Sequence, residues 1–479
     1  MLTSVSVIGG GLTGLFAGVF LGRHGRRRRG RLLKAVLVFL GALAFPWTTA
    51  VPAFADGAFD GGDIHVAQTL GDRELTVVIR RVEPVPGPVY VDVVSHAGDP
   101  PGELALRLSQ DGEQTGATTV RLGAQPGFHR AGALAVSGAG LWELAIDDGM
   151  RVATIPFVVP ARVMSPWQNA AYGGFVGAGL LMMVTLVVAV RLRAAAALVP
   201  AAGTVAALAV AVTAVVLSWS VPPLPPPGAE LDPTADNIAA PYAVAPSPTA
   251  DTSRPPVNVV SDLRDGDLRL ALTDSSTGHP ADDLLVHDAA FVHLAVVSPA
   301  GRLWHLHPVR AGPGDYRVTF AAPETGRYAV AAEIARRGGG RQLLRTSIIL
   351  DAAGGVAPAT QNDTVDRRIA PAGSPSTLTA RFGTQDLQPW LGMAGHMIVV
   401  GPVTGAVADA PIWAHVHSML PSTRNQPDES VAAFGPDVPF TYTFPLPGRY
   451  LVWIQAERGY SVRTVPASVN VPEPGKASP

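Results

Sequence analysis

Strand-length apolar runs dominate the chain after residue 56. Segments such as "ELTVVIRRV" (74–82), "PVYVDVVSH" (88–96) and "GLWELAIDD" (140–148) are rich in β-branched residues and bounded by Gly or Pro. This pattern predicts strands between turns, and residues 56–162 read as a first all-β, Ig-like sandwich. The pattern then changes. Residues 170–190 run without a charge for the ~20 residues a bilayer span needs, and a second apolar stretch follows at about 196–218. Arg191 and Arg193 lie in the short connection, so the positive-inside rule places it in the cytoplasm and both flanking regions outside. Trp167 and Trp219 fall at the outer ends, and Gly173 with Gly177 forms a small-xxx-small pair, read as packing between the two helices (168–219).

A Pro-rich spacer (220–256) leads into two further regions, 257–352 and 353–473, that carry one unit twice. "DLLVHDAAFVHLAVVSP" (283–299) matches "DLQPWLGMAGHMIVVGP" (386–402) without a gap, placing His293 on His396. "LWHLHP" (303–308) matches "IWAHVHS" (412–418), with His305 on His415 and His307 on His417. "PETGRYAVAAE" (323–333) matches "PLPGRYLVWIQAE" (445–457) with a two-residue difference. The fold class is therefore three all-β Ig-like sandwiches with a two-helix transmembrane hairpin and an N-terminal signal or anchor segment.

Side chains at i and i+2 share a strand face, so His305 and His307 point one way. "SPAGR" (298–302) reads as a three-residue hairpin loop with Gly301 left-handed, which sets His293 opposite His307. Three imidazoles then converge in each copy, a set suited to Cu(II) or Zn(II), with copper favoured by the Irving–Williams order. Met419, at i+2 from His417, is expected to add a thioether to the second site. The expected metal ligands are His293, His305, His307, His396, His415, His417 and Met419. His279 and His287 would extend the first cluster without counterparts in the second. A strand-end His-x-His pair also occurs as ordinary half-exposed packing; the competing reading is thus a non-catalytic envelope scaffold of tandem sandwiches with incidental histidines.

Composition narrows the chemistry. With 51 glycines, 44 prolines and 15% charged residues in 479, many short elements are expected and long amphipathic helices are not. A net charge of −2 gives no footprint for nucleic acid. No cysteine is present, which excludes disulfides, thiolate metal sites and cysteine nucleophiles. No nucleophile elbow or paired carboxylates point to an enzyme. Gly9, Gly11 and Gly14 fit a dinucleotide fingerprint, but six arginines follow in place of the acidic residue such a site needs. The first 55 residues read instead as a basic run, an apolar run and an A-x-A cleavage site at Ala53-Phe54-Ala55, which predicts export.

At the "HLHP" strand and the "GRY" turns, residues 257–472 resemble the exported YtkA-like group of Ig-type β-sandwich domains, and the first sandwich resembles CopC-type copper-handling domains in size and final strands. That resemblance implies extracytoplasmic copper handling. The expected partners are a metal ion, the lipid bilayer and an envelope protein. The expected location is the cell membrane, with domains facing the periplasm or exterior. The CopC-type site uses a mature N-terminal histidine, and this chain would begin at Asp56 after cleavage.

Overall fold

The computed structural model describes residues 63–80, 86–159, 166–191, 195–218, 254–351, 354–360, 363–419 and 434–475. The fingerprint glycines, the arginine run, the cleavage site, Trp219 and nearly all of the Pro-rich spacer lie outside the described residues.

The first sandwich contains β1 (Ile64–Leu70), β2 (Arg73–Ile79), β3 (Gly87–Val89), β4 (Val91–Ser95), β5 (Gly102–Gln110), β6 (Glu113–Leu122), β7 (Gly127–Arg130), β8 (Leu134–Val136), β9 (Gly140–Asp147) and β10 (Val152–Val159). Sheets β1-β2-β4-β7 and β10-β9-β5-β6 face each other, and β3 pairs with β8. Alternation decides the inward face: Leu104, Leu106 and Leu108 of β5 are buried against Trp142 of β9 and Phe157 of β10.

Two apolar helices follow, α1 (Pro166–Arg191) and α2 (Leu198–Ser218), each long and apolar enough to cross a membrane. Their closest approach is at Gly174, where a Cβ would lie 2.9 Å from the Ala207 carbonyl oxygen. The pair singled out in the sequence is only half used. Gly177 faces Ala207, whereas Gly173 faces open space.

The second sandwich contains β11 (Val257–Arg264), β12 (Asp267–Asp274), β13 (Leu284–Leu285), β14 (Val292–Val297), β15 (Leu303–Leu306), β16 (Val309–Gly312), β17 (Asp315–Thr319), β18 (Gly326–Arg336) and β19 (Gly340–Leu350). The third contains β20 (Thr364–Arg368), β21 (Pro375–Arg381), β22 (Gly395–Gly401), β23 (Ile412–Ser418), β24 (Asp437–Thr443), β25 (Gly448–Arg458) and β26 (Ser461–Val471). In the second, β15-β14-β18-β19 lies over β11-β12-β17-β16; in the third, β23-β22-β25-β26 lies over β20-β21-β24. The histidine-bearing strands β14, β15, β18 and β19 correspond one to one with β22, β23, β25 and β26, while β13 and β16 match no named strand of the third sandwich. Tyr328 and Tyr450 of the "GRY" turns are fully buried, and each hydroxyl donates 2.8 Å to a carbonyl four residues upstream, Glu324 and Leu446 respectively.

The central strands of these two sheets are buried on both faces. Val292, Leu294 and Val296 of β14 fill their own sandwich, while Val297 packs against Ile398 and Val400 of β22 in the other repeat. Continuous apolar runs such as "VHLAVV" and "GHMIVVG" follow from that double burial, since neither face meets water. The first sandwich closes the arrangement. Its core is continuous with that of the second, and Ala67 packs with Ala289, Ala290, Trp390 and Leu391 where all three sandwiches meet.

Candidate metal centre

Two tight turns prepare the site. His287 and Ala290 exchange backbone hydrogen bonds, as do Trp390 and Met393. The central residues Asp288, Ala289, Leu391 and Gly392 all have positive φ, from 49° to 77°, the pattern of a type I′ turn. Three of these four carry a Cβ, at a cost of about 1–2 kcal/mol each. Each turn leaves one carbonyl aimed at the histidine six residues on. His293 Nε2 donates to the His287 oxygen at 3.0 Å, and His396 Nε2 donates to the Trp390 oxygen at 3.2 Å.

Strand register then collects the triads. Ala295 pairs with His305 and Leu294 with Leu306, a ladder that continues to His293 opposite His307, around a loop with Gly301 left-handed. In the third sandwich His396 pairs with His417 and Ile398 with His415, which is the same register. One ring nitrogen from each of His293, His305 and His307 lies within 4.8 Å of the other two, and His396, His415 and His417 meet the same criterion.

The outer nitrogens of the first triad are all held by acceptors. His305 Nδ1 donates to Gln455 Oε1 at 2.8 Å, and Gln455 is oriented by its own amide donating to Thr464. His307 Nδ1 donates to Glu74 Oε1 at 2.6 Å, while the other Glu74 oxygen accepts from Thr69. These bonds fix the tautomers, and leave lone pairs on His293 Nδ1, His305 Nε2 and His307 Nε2. All three atoms are buried without a hydrogen-bond partner. Converging buried lone pairs of this kind are costly unless something electrophilic sits between them.

The second triad is closed by a shared proton. His396 Nδ1 lies 2.9 Å from His415 Nε2, and His415 Nδ1 lies 2.9 Å from Glu333 Oε2. Burial pushes the Glu333 carboxyl up. Burial, reinforced by His417 and His293, also pushes the His415 imidazole well down. Because the Trp390 carbonyl can only accept, His396 donates to it from Nε2 and accepts at Nδ1 from His415 Nε2, and a neutral His415 then accepts at Nδ1 from Glu333. Ionised Glu333 would restore the arrangement of the first triad, with each ring N–H on an outer acceptor and each lone pair facing inward.

Four of the six histidines are pushed toward the neutral form that a ligand needs. Burial, with His307 and His305 alongside, holds His293 well below its ordinary value, and burial lowers His305 to about 3. His396 is lowered by burial and by His417. Asp288 stays ionised; burial would raise it, but His287 at 2.8 Å and the neighbouring His417 outweigh that and hold it low.

Each histidine at the start of a His-x-His pair is held from the opposite repeat: Gln455 holds His305, and Glu333 holds His415. Glu333 stands opposite His293 in the ladder as Gln455 stands opposite His396. The alignment with a two-residue difference, which set Glu333 against Glu457, is thus corrected: the repeat runs without a gap here, and Glu333 corresponds to Gln455. Glu457 instead lies 2.9 Å from His96 of the first sandwich. His287 does have a counterpart, Trp390, through the carbonyl each offers. His279 is exposed and away from the cluster. Met419 lies one residue past the end of β23 at Ser418 and is 40% exposed.

Glu74, Asp288, Glu333, Gln455 and the Trp390 carbonyl were missed by sequence reasoning. The gapless repeat could have exposed Glu333 and Gln455, and the unbroken apolar strands could have exposed a second buried face. No pattern in the sequence marks Glu74.

Against known proteins, a family model described as a domain of unknown function (DUF8832) matches residues 362–473, the span of the third sandwich. No curated protein matches the chain. Among solved structures, the chain is similar to a tetra-tandem repeat in the extending region of a large adhesion protein, at 12% identity over 85% of this chain and 82% of that one, with a TM-score of 0.14. It is similar to Salmonella alpha-2-macroglobulin reacted with methylamine at 10% identity over 88% of this chain and 24% of that one, TM-score 0.17. It is also similar to the BSP domain of a biofilm-associated protein at 7% identity over 92% and 70%, TM-score 0.14. At scores this low the sheets themselves define the fold. The chain is a tandem β-sandwich protein with two apolar helices and two histidine triads.

Proposed function

We propose that this is a membrane-anchored extracytoplasmic protein that binds a transition metal, copper before zinc, at the junction of its three sandwiches. The observation that carries this reading is the set of three buried, unpartnered lone pairs on His293, His305 and His307, each backed by an acceptor on the other ring nitrogen. That division of labour, lone pair inward and N–H outward to a carboxylate or carbonyl, is what orients imidazole ligands in metal sites. Three imidazoles without thiolate suit Cu(II) or Zn(II), and copper binds more tightly where both are present. An ion held by His396, His415 and His417 would replace the proton between His396 and His415, which would pass to solvent, and Glu333 would give its own proton to His415 Nδ1 and then accept from it.

The membrane placement has its own support. The first sandwich precedes the helices and the others follow, yet Thr69 N donates to the His307 carbonyl at 2.7 Å. Two crossings return the chain to the side it left, whereas one would separate these partners. Basic residues between the spans favour a cytoplasmic connection. The resemblance to copper-handling sandwiches points the same way.

Equilibrium titration of the full-length chain in detergent with Cu(II) and Zn(II) tests the reading. Saturable binding that survives dialysis is expected, with His293→Ala and His307→Ala losing it while their circular dichroism stays that of the parent. Unchanged stoichiometry in both folded variants would leave the histidines as interface packing, and a sandwich scaffold would become the better reading.

A further inference from the structure

The two triads are not spaced as two sites. Ring centroids within the first lie 5.0–5.7 Å apart and within the second 4.5–5.1 Å. Across the pair, His293 and His305 each lie 5.1 Å from His415, and His305 lies 5.8 Å from His396. Imidazoles of opposite repeats are thus as close as those of one triad, and the crossed bonds from Gln455 and Glu333 tie the two coordination spheres together.

We propose that the six imidazoles hold two copper-class ions as a single pair joined by a solvent-derived oxygen. The inference rests on the metal-binding reading above and adds number and coupling to it. Charge supports it. Two divalent ions would bring four positive charges into a buried site, and carboxylates stand beside both triads: Glu74 at His307, Asp288 at His417 and Glu333 at His415. A water held between the ions would lose one proton to solvent and remain as a hydroxide that joins them. No oxidation step is involved. A small cavity bordered by His293, His305, Glu333 and His415, and by the apolar Ala295, Ile398 and Trp413, opens beside the cluster between the facing sheets.

The experiment is copper loading of the full-length chain in detergent, with metal content by elemental analysis and unpaired spins by electron paramagnetic resonance. Two Cu(II) ions joined through one oxygen pair their spins, so two coppers per chain with an integrated signal below about a tenth of the copper content is the expected result. Loading with equal Cu(II) and Zn(II) needs no mutation and should restore signal, because chains holding one of each have no partner spin. His417→Ala should bind one copper with full intensity. Two coppers with full intensity would overturn the pairing, and one copper per wild-type chain would overturn the pair while leaving metal binding intact. No tight copper at all would instead remove the function on which the inference rests.

Discussion

A histidine becomes a ligand through what its other nitrogen does. In the first triad that second nitrogen meets a backbone carbonyl, an amide oxygen and a carboxylate, and the three remaining lone pairs converge. Glu74 is the most telling of these partners, because it comes from β2 of a sandwich that contributes no imidazole to the cluster. Glu74→Gln keeps an oxygen able to accept from His307 Nδ1 but removes the charge. Loss of such an outer partner weakens metal affinity by about 10–100-fold. Competition against a chelator of known affinity should find a loss in that range for Glu74→Gln, with none for Glu103→Gln on an exposed strand position. Equal affinity in the two variants would separate the first sandwich from the site.

Strand β14 and its counterpart β22 each show how one segment serves two surfaces. The period of two puts Val292, Leu294 and Val296 in the sandwich and leaves His293, Ala295 and Val297 for the neighbouring repeat. His-x-His on the adjoining strand needs the same period, so one register slip would remove both histidines from the interface together. The helices obey a different rule, in which the smallest residue marks the closest approach. A Cβ on Gly174 would run into the α2 backbone, whereas one on Gly173 would meet nothing within 4 Å. Gly174→Leu should therefore separate the hairpin, and Gly173→Leu should be tolerated. Disulfide trapping between cysteines introduced at Leu181 and Gly203, which abut, measures this directly. Trapping that persists in Gly174→Leu would contradict the packing.

Across the whole molecule, the three sandwiches form one body around the histidines. Arg310 locks the first two together. It pairs bidentately with Asp282 of its own sandwich at 2.7 Å and reaches Glu143 of the first at 3.0 Å, while only 7% exposed. Asp282 and Glu143 are 34% and 40% exposed, so removing Arg310 leaves no fully buried charge but does take away the side chain that bonds both of them. Arg310→Ala should thus loosen the docked first sandwich, seen as faster hydrogen exchange at Thr69 and His307, whose backbone groups bond across the same interface. Unchanged exchange there would mean that the apolar junction of Ala67, Ala289 and Trp390 holds the sandwiches without it.

Periodicity and repetition made much of this legible. Strand runs between turns, two charge-free spans and a unit present twice were readable because each is local, set by which side chains alternate and where Gly permits a turn. The register of the His hairpin was readable for the same reason, since Gly301 and a three-residue loop leave one pairing. What the sequence could not contain was the meeting of distant surfaces. Glu74 lies 233 positions from His307 and Gln455 lies 150 from His305, and no short-range pattern links them. Met419 follows the last residue of its strand, and alternation sets a side chain's direction only while the strand continues. Docking of the sandwiches is decided by side-chain packing and buried charge over whole faces, and it is this docking that turns two strand-end motifs into one enclosed cluster of six imidazoles.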